Sequence, residues 1–318
     1  MKKVLVVIPV EERHKKYLEE KFPEGEFLYS SIGSVTLSHV KEADVIIGNA
    51  PVAMVQECEH LEFMQLNSAG ADAYIKEGVI KDGTVLANAT GAYGLAVAEH
   101  MFAMTYALMK KLPLYQKNQS HCAWKDEGPV TTFYHSRTLV IGLGDIGCDY
   151  ARRAKAMGSY VVGLKRRESE KPDCVDELYT MDALKDELEK ADVVAMFLPG
   201  TKETYHVMNE EMLRSMKHGA ILVNGGRGTA IDQVALKTVL DEEYLSGAAL
   251  DVTTPEPLPV DDPLWEAKNI LITPHVSGGY HLPETFERIV QIAGHNLEAL
   301  RNEHEIKNVV DFTTGYKK

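Results

Sequence analysis

The stretch TLVIGLGDIGCDYARRAKAMG, Thr138 to Gly158, decides the fold. An apolar run, Thr138–Ile141, stops on Gly142. Gly142, Gly144 and Gly147 then keep the spacing G-x-G-x-x-G as a helical pattern, Asp145–Met157, begins. Strand, tight turn and helix in that order make a phosphate-binding βα unit. Gly142 permits the turn, Gly144 lets backbone come close to a pyrophosphate, and Gly147 lets the helix lie near the strand. The helix N-terminus, from Asp145 and Ile146 onward, offers unpaired N–H groups to phosphates. The spacing alone is a weak sign. Its place between a strand and a helix makes dinucleotide binding the favoured reading over a structural glycine turn.

The next apolar run, Tyr160–Leu164, leads into Lys165, Arg166 and Arg167. A dinucleotide fold usually carries an acid here, which accepts hydrogen bonds from the adenine ribose and repels a 2′-phosphate. Three cations instead attract that phosphate. The sequence therefore favours NADP(H), clamped by Lys165 and Arg166, with NAD(H) admitted if the site is permissive. The competing reading is an ordinary solvated run of charge. Net charge is −13, so a basic cluster on this chain is a local exception.

Upstream and downstream, short apolar runs alternate with helical patterns. Val4–Val10, Val45–Gly48, Glu62–Asn67 and Val85–Ala87 read as strands, with helices over Glu11–Lys21 and Val52–Glu59. Near-continuous apolar runs of this kind are what buried parallel strands require. A helix follows over Gly94–Lys111, stopped near Pro113. A second series then runs through Tyr160–Leu164, Val193–Phe197, Ala220–Val223, Gly247–Leu250 and Ile270–Thr273, and ends in a helix over Pro283–Glu303. Two such series predict an α/β chain of two doubly wound parallel-sheet domains. Leu112–Ser136 is long for a loop inside a domain, and reads either as a linker or as an arm packed on a partner subunit.

At 318 residues the chain exceeds the usual single core, and 45 % hydrophobic with 25 % charged residues is an ordinary globular composition. The acidic balance argues against nucleic acid as a partner. The first apolar run is short and broken by Pro9, and nothing reaches the length of a membrane span. Cys58, Cys122, Cys148 and Cys174 form no C-x-x-C pair, which predicts free thiols and a cytoplasmic protein. No spacing of ligand types predicts a metal site.

Three more segments sit just past predicted strands: LVNGGRG with Arg227, LDVTTPEPLP with Asp251 and Glu256, and ITPHVSGG with His275. Doubly wound sheets place ligands at these strand ends. Singly, each residue has an unremarkable structural role open to it, but together they make a catalytic set the better reading. With NSAGAD (Asn67–Asp72), VAEH (Val97–His100), GLGDIG, LPGTKET (Leu198–Thr204), NGGRG, PLW (Pro263–Trp265) and TPH in this order, the sequence resembles the D-isomer-specific 2-hydroxyacid dehydrogenase family over nearly its whole length.

The resemblance implies a Rossmann cofactor domain, residues 98–283, inserted in a flavodoxin-like substrate domain, residues 1–97 and 284–318. It implies reduction of small 2-keto acids such as glyoxylate or hydroxypyruvate, with Arg227, Glu256 and His275 catalytic. Protonated His275 gives a proton to the carbonyl oxygen, Glu256 holds the imidazole and favours its charged form, and Arg227 grips the substrate carboxylate. Backbone N–H groups of Ser68, Ala69 and Gly70 complete the carboxylate site. The cofactor set widens to Pro199, Thr204, Gly225, Asp251 and Gly278, with Asp251 read as a contact to the nicotinamide amide. Glu99 and His100 are read as structural, and Trp124 and Tyr280 as substrate-pocket or dimer-contact residues. A homodimer is expected. Two other activities stay open: a non-catalytic NAD(H)-sensing scaffold like the corepressors of this fold, and a phosphoglycerate dehydrogenase-like enzyme. VSGGYH after the catalytic histidine departs from the small-residue turn of many members, and Glu256 argues against the formate dehydrogenase branch, which carries Gln there.

Overall fold

A computed structural model describes residues 1–313 and divides the chain into two compact units, one of residues 1–93 and 280–318, the other of residues 94–279. In the first unit β1 (Lys2–Val6), α1 (Glu12–Lys21), β2 (Gly25–Tyr29), α2 (Leu37–Lys41), β3 (Val45–Ile47), α3 (Val52–Val55), β4 (Phe63–Gln65) and β5 (Val85–Ala87) follow one another. The strands form one parallel sheet in the order β2-β1-β3-β4-β5, the flavodoxin-like order. Central strands β3 and β4 are wholly buried, β3 as its apolar run demands, while β4 carries the buried Gln65 at its end. The Val52–Glu59 helix expected from the sequence is only one turn long, and ends at Val55.

The second unit runs α4 (Gly94–Met109), α5 (Leu112–Ser120), β6 (Arg137–Ile141), α6 (Asp145–Ala156), β7 (Tyr160–Lys165), β8 (Glu177–Thr180), α7 (Leu184–Leu188), β9 (Val193–Met196), α8 (Glu210–Ser215), β10 (Ile221–Asn224), α9 (Gln233–Asp241), β11 (Gly247–Leu250) and β12 (Ile270–Ile272). Its seven strands are parallel in the order β12-β11-β10-β9-β6-β7-β8. Renumbered within the unit, this is the Rossmann order 3-2-1-4-5-6 with one strand added. The order reverses at β6, so the glycine turn lies at the topological switch point. Helix α4 packs on α6, where buried Thr105 and Tyr150 share a hydrogen bond of 2.9 Å and Phe102 meets Tyr150 edge to face.

Helix α10 (Pro283–Arg301) belongs to the first unit and packs on α1. Gly294 allows this close approach, because a Cβ there would lie 2.3 Å from the Tyr17 ring. Lys21–Glu298 and His14–Glu287 tie the same pair of helices at 2.8 and 3.1 Å. Leu112–Ser136, irregular by sequence, opens with helix α5. Lys111 turns left-handed (φ 57°) and Pro113 falls in the new helix's first turn, where no intrahelical N–H is needed. No helix of the described residues is long and apolar enough to cross a membrane.

Candidate active site

The glycine turn leaves β6 at Gly142 with φ +94°, and a Cβ there would lie 2.8 Å from the Phe197 carbonyl oxygen. A Cβ on Gly147 would meet the Gly142 carbonyl oxygen at 2.0 Å, so only glycine lets α6 start this close to its strand. Gly144 is different. A Cβ there meets no protein atom within 4 Å, so nothing inside the protein demands glycine at this position. It stands at the N-cap of α6, beside the N–H groups of Asp145, Ile146 and Gly147 that have no earlier turn to bond to. The Asp145 carboxylate is turned aside to accept the Gly94 N–H at 2.8 Å. Together these residues fit a pyrophosphate approached closely by backbone.

Lys165 ends β7, and its Nζ donates to Ser169 Oγ at 3.0 Å, while Arg166 and Arg167 are exposed. Glu203 is a local counter-charge that the sequence reading missed. Its carboxyl is held below the usual range by its own backbone N–H and by Thr201, and then by the charge of Arg166. The loop after β9 is pinned by Thr204, whose hydroxyl donates to the Pro199 carbonyl at 2.7 Å and accepts the Thr201 N–H at 2.9 Å. Gly225 lies one residue past β10, and a Cβ there would press on Met101 and Phe197. Burial first, then a hydrogen bond with Cys174, pushes the Cys148 thiol up to about 12, which keeps it protonated and unreactive near the turn.

Arg227, Asp251 and His275 follow β10, β11 and β12, three neighbouring parallel strands in register, at their C-terminal ends. Adjacent strands lie about 4.8 Å apart, so the fold gathers these residues at one edge. The next loop is drawn in as well. A Cβ on Gly228 would overlap the Thr253 carbonyl, which seats the Arg227 turn directly on the loop carrying Glu256. Glu256 Oε2 lies 2.8 Å from His275 Nδ1, and Oε1 accepts the Thr253 N–H at 3.2 Å. Both side chains are about half exposed. His275 Nε2 has no partner among the described residues, and the residue adopts φ +52°.

Asp251 is buried and already serves four donors. Its carboxylate accepts Thr273 Oγ1 at 2.6 Å, Val276 N–H at 3.0 Å, Ser277 N–H at 3.1 Å and the Ser277 hydroxyl. Its own carbonyl accepts the His275 N–H at 2.8 Å. Asp251 therefore sets the loop that presents His275, and a nicotinamide amide would compete with these donors. Of the loop's two glycines, Gly278 follows Ser277 directly. His100 Nε2 lies 3.0 Å from Thr273 Oγ1, and Glu99 pairs with Arg153 at 3.1 Å.

In the first unit the loop Ser68–Ala69–Gly70 has its carbonyls turned inward. Ala89 N–H donates to Ser68 O at 2.9 Å, Asn88 Nδ2 to Ala69 O at 2.9 Å, and Ser68 Oγ to Gly70 O at 2.6 Å. The three backbone N–H groups have no acceptor among the described residues. Successive unpaired N–H groups are the kind of donor set that a small anion requires. No group of three His, Cys, Asp or Glu side chains among the described residues is placed to hold a metal.

A Rossmann sheet with a phosphate-binding turn at its switch point, beside a paired His and Glu, defines a nicotinamide-dinucleotide oxidoreductase. Residues 102–277 match the family model of the D-isomer specific 2-hydroxyacid dehydrogenase NAD binding domain. A glyoxylate reductase of Korarchaeum cryptofilum is 32 % identical over 87 % of this chain and 85 % of its own. A D-3-phosphoglycerate dehydrogenase of Methanocaldococcus jannaschii is 30 % identical over 86 % of this chain and 53 % of its own. The crystal structure of a D-isomer specific 2-hydroxyacid dehydrogenase family protein from Aeromonas salmonicida is 30 % identical, covers 98 % of this chain and 99 % of its own, and superposes with a TM-score of 0.86. The chain belongs to the D-isomer-specific 2-hydroxyacid dehydrogenase family.

Proposed function

We propose that the protein reduces small 2-keto acids, glyoxylate or hydroxypyruvate among them, to D-2-hydroxy acids with NADPH. The observation that carries this reading is the 2.8 Å contact between Glu256 and Nδ1 of His275, which leaves Nε2 free to face a carbonyl oxygen. The bound nicotinamide supplies a hydride to the carbonyl carbon. His275, protonated, gives its Nε2 proton to the carbonyl oxygen, a step that a positioned acid accelerates by about 10²–10⁴. Glu256 fixes the ring and balances the imidazolium charge. Arg227 holds the substrate carboxylate through its planar guanidinium and polarises the adjacent carbonyl.

The unpartnered N–H groups of Ser68, Ala69 and Gly70 support a role as further carboxylate donors. Gly142, Gly144, Asp145, Ile146 and Gly147 hold the pyrophosphate in this reading, with Pro199, Thr204, Gly225, Asp251 and Gly278 lining the rest of the dinucleotide site. Lys165 and Arg166 take the 2′-phosphate, and Lys165 rather than an acid is the last residue of β7. A homodimer is part of the same reading, and the fully exposed Trp124 supports a contact with a second copy.

The experiment is an assay of glyoxylate, hydroxypyruvate and pyruvate with NADPH and with NADH. Turnover of at least one acid, faster with NADPH, is the expected result. A folded protein that binds cofactor and reduces none of them would be a dinucleotide-sensing scaffold instead.

A further inference from the structure

Asp145 is the first residue of α6, and its backbone N–H is among those left for a pyrophosphate. Its side chain serves another helix. Gly94, which accepts no side chain of its own, opens α4 within the same unit and donates its N–H to Asp145 Oδ2 at 2.8 Å. A Cβ on Gly94 would lie 2.7 Å from Oδ2, and 2.8 Å from Oδ1 and Cγ, so the carboxylate lies face-on against backbone that only glycine leaves open. The positive ends of two helix dipoles therefore meet at one carboxylate. Further along, the Thr105–Tyr150 hydrogen bond and the Glu99–Arg153 pair hold the same two helices together. Asp149, one turn into α6, is paired with Arg152 at 3.0 Å and Arg153 at 3.1 Å. Asp145 has no such cation among the described residues, because its partner is an uncharged N–H. Its charge thus stands uncompensated beside donors that a second anion must use.

We propose that the Asp145 carboxylate sets the affinity of the dinucleotide site: it fixes the start of α4 against that of α6, and its charge repels the pyrophosphate. The site is thereby held below the affinity that its N–H groups could reach. This rests on the reading of Asp145, Ile146 and Gly147 as the pyrophosphate donors. The repulsion falls on the phosphate bridge that NADPH and NADH share, so it is blind to the 2′-phosphate. Lys165, Arg166 and Glu203 differ in this, since their charges bear on NADPH. An oxidoreductase must release its oxidised cofactor at every turnover, and a charge that loosens the shared bridge serves that release.

The test is Asp145→Asn, which keeps an oxygen for the Gly94 N–H and removes the charge. Dissociation constants of NADPH and NADH are measured by fluorescence titration in the wild type and the variant, at low and at high salt. At low salt the variant should bind both cofactors about three to ten times more tightly, with the two factors agreeing within about twofold. At about 1 M salt, where charges are screened beyond about 3 Å, the advantage should shrink below about twofold. A carboxylate that served only as a helix cap would leave the affinities and their salt dependence unmoved. Asp145→Ser, also neutral and suited to a helix start, is read in the same way should the Asn variant not fold. Unchanged or weaker binding by a folded neutral variant overturns the assignment while leaving the dinucleotide reading intact. Tightening that persists at high salt, or that is confined to NADPH, overturns it equally. A wild type that binds neither cofactor removes both.

Discussion

Replacing Lys165 and Arg166 together by Ala probes the reading of the β7 end as a 2′-phosphate clamp. Among the described residues Lys165 Nζ has one hydrogen-bond partner, Ser169 at 3.0 Å, and Arg166 lies in the field of Glu203. Neither is sheltered enough for a buried ion pair's strength. A charge-assisted hydrogen bond contributes about 1.5–3 kcal/mol when protected, and exposure brings an ion pair down to about 1 kcal/mol or less. Two contacts to a phosphate of charge about −1.5 to −2 then total about 2 kcal/mol. That corresponds to a loss of about 30-fold in NADPH affinity. NADH lacks the phosphate, so its affinity should move by less than about twofold. Fluorescence titration of each reduced cofactor at low and moderate salt reads this directly. The NADPH constant of the wild type should weaken with salt and that of the variant much less. Equal loss for both cofactors would mean that the two cations shape the loop rather than read the phosphate. Glu203→Gln supplies the opposite sign: removal of the counter-charge should tighten NADPH several-fold and leave NADH unchanged.

Two glycines of the turn should separate binding from folding. Gly144→Ala should weaken dinucleotide affinity about tenfold with the melting temperature almost unmoved, because its Cβ meets no protein atom. Gly147→Ala, whose Cβ would sit 2.0 Å from a carbonyl oxygen, should cost about 1–3 kcal/mol of stability, read by thermal unfolding without ligand. Glu256→Gln removes the charge beside Nδ1 of His275 while keeping the shape. It should lower kcat by about 10- to 100-fold with little change in NADPH affinity, and a kcat within twofold of wild type would deny Glu256 its part in the proton step.

The central architecture was legible because buried parallel strands leave an unmistakable trace. Val45–Ile47, Val193–Met196 and Ile221–Val223 are unbroken apolar runs and became central strands. Edge strands β5 and β12 kept apolar runs and were read, but the other two edges are polar and half solvated and leave no such trace. Gly25–Tyr29 alternates partly buried and exposed positions, Glu177–Thr180 is equally polar, and neither was expected from the sequence. Pro113 read as a helix stop, yet a proline in a first turn begins a helix as readily as one ends before it. At the site, Arg227, Glu256 and His275 were visible as residue types at strand ends. The donors around Asp251 were not, because Thr273 and Ser277 are unremarkable until the loop between them folds back on that carboxylate.

The central claim is that the imidazole of His275 delivers the proton that completes reduction of a 2-keto acid. The most direct measurement is single-turnover oxidation of NADPH by saturating glyoxylate, in the wild type and in His275→Ala, with NADPH affinity determined for both. The account predicts that His275→Ala binds NADPH within about twofold of the wild type and oxidises it about 10²–10⁴ times more slowly. Oxidation by His275→Ala at near wild-type rate would contradict it.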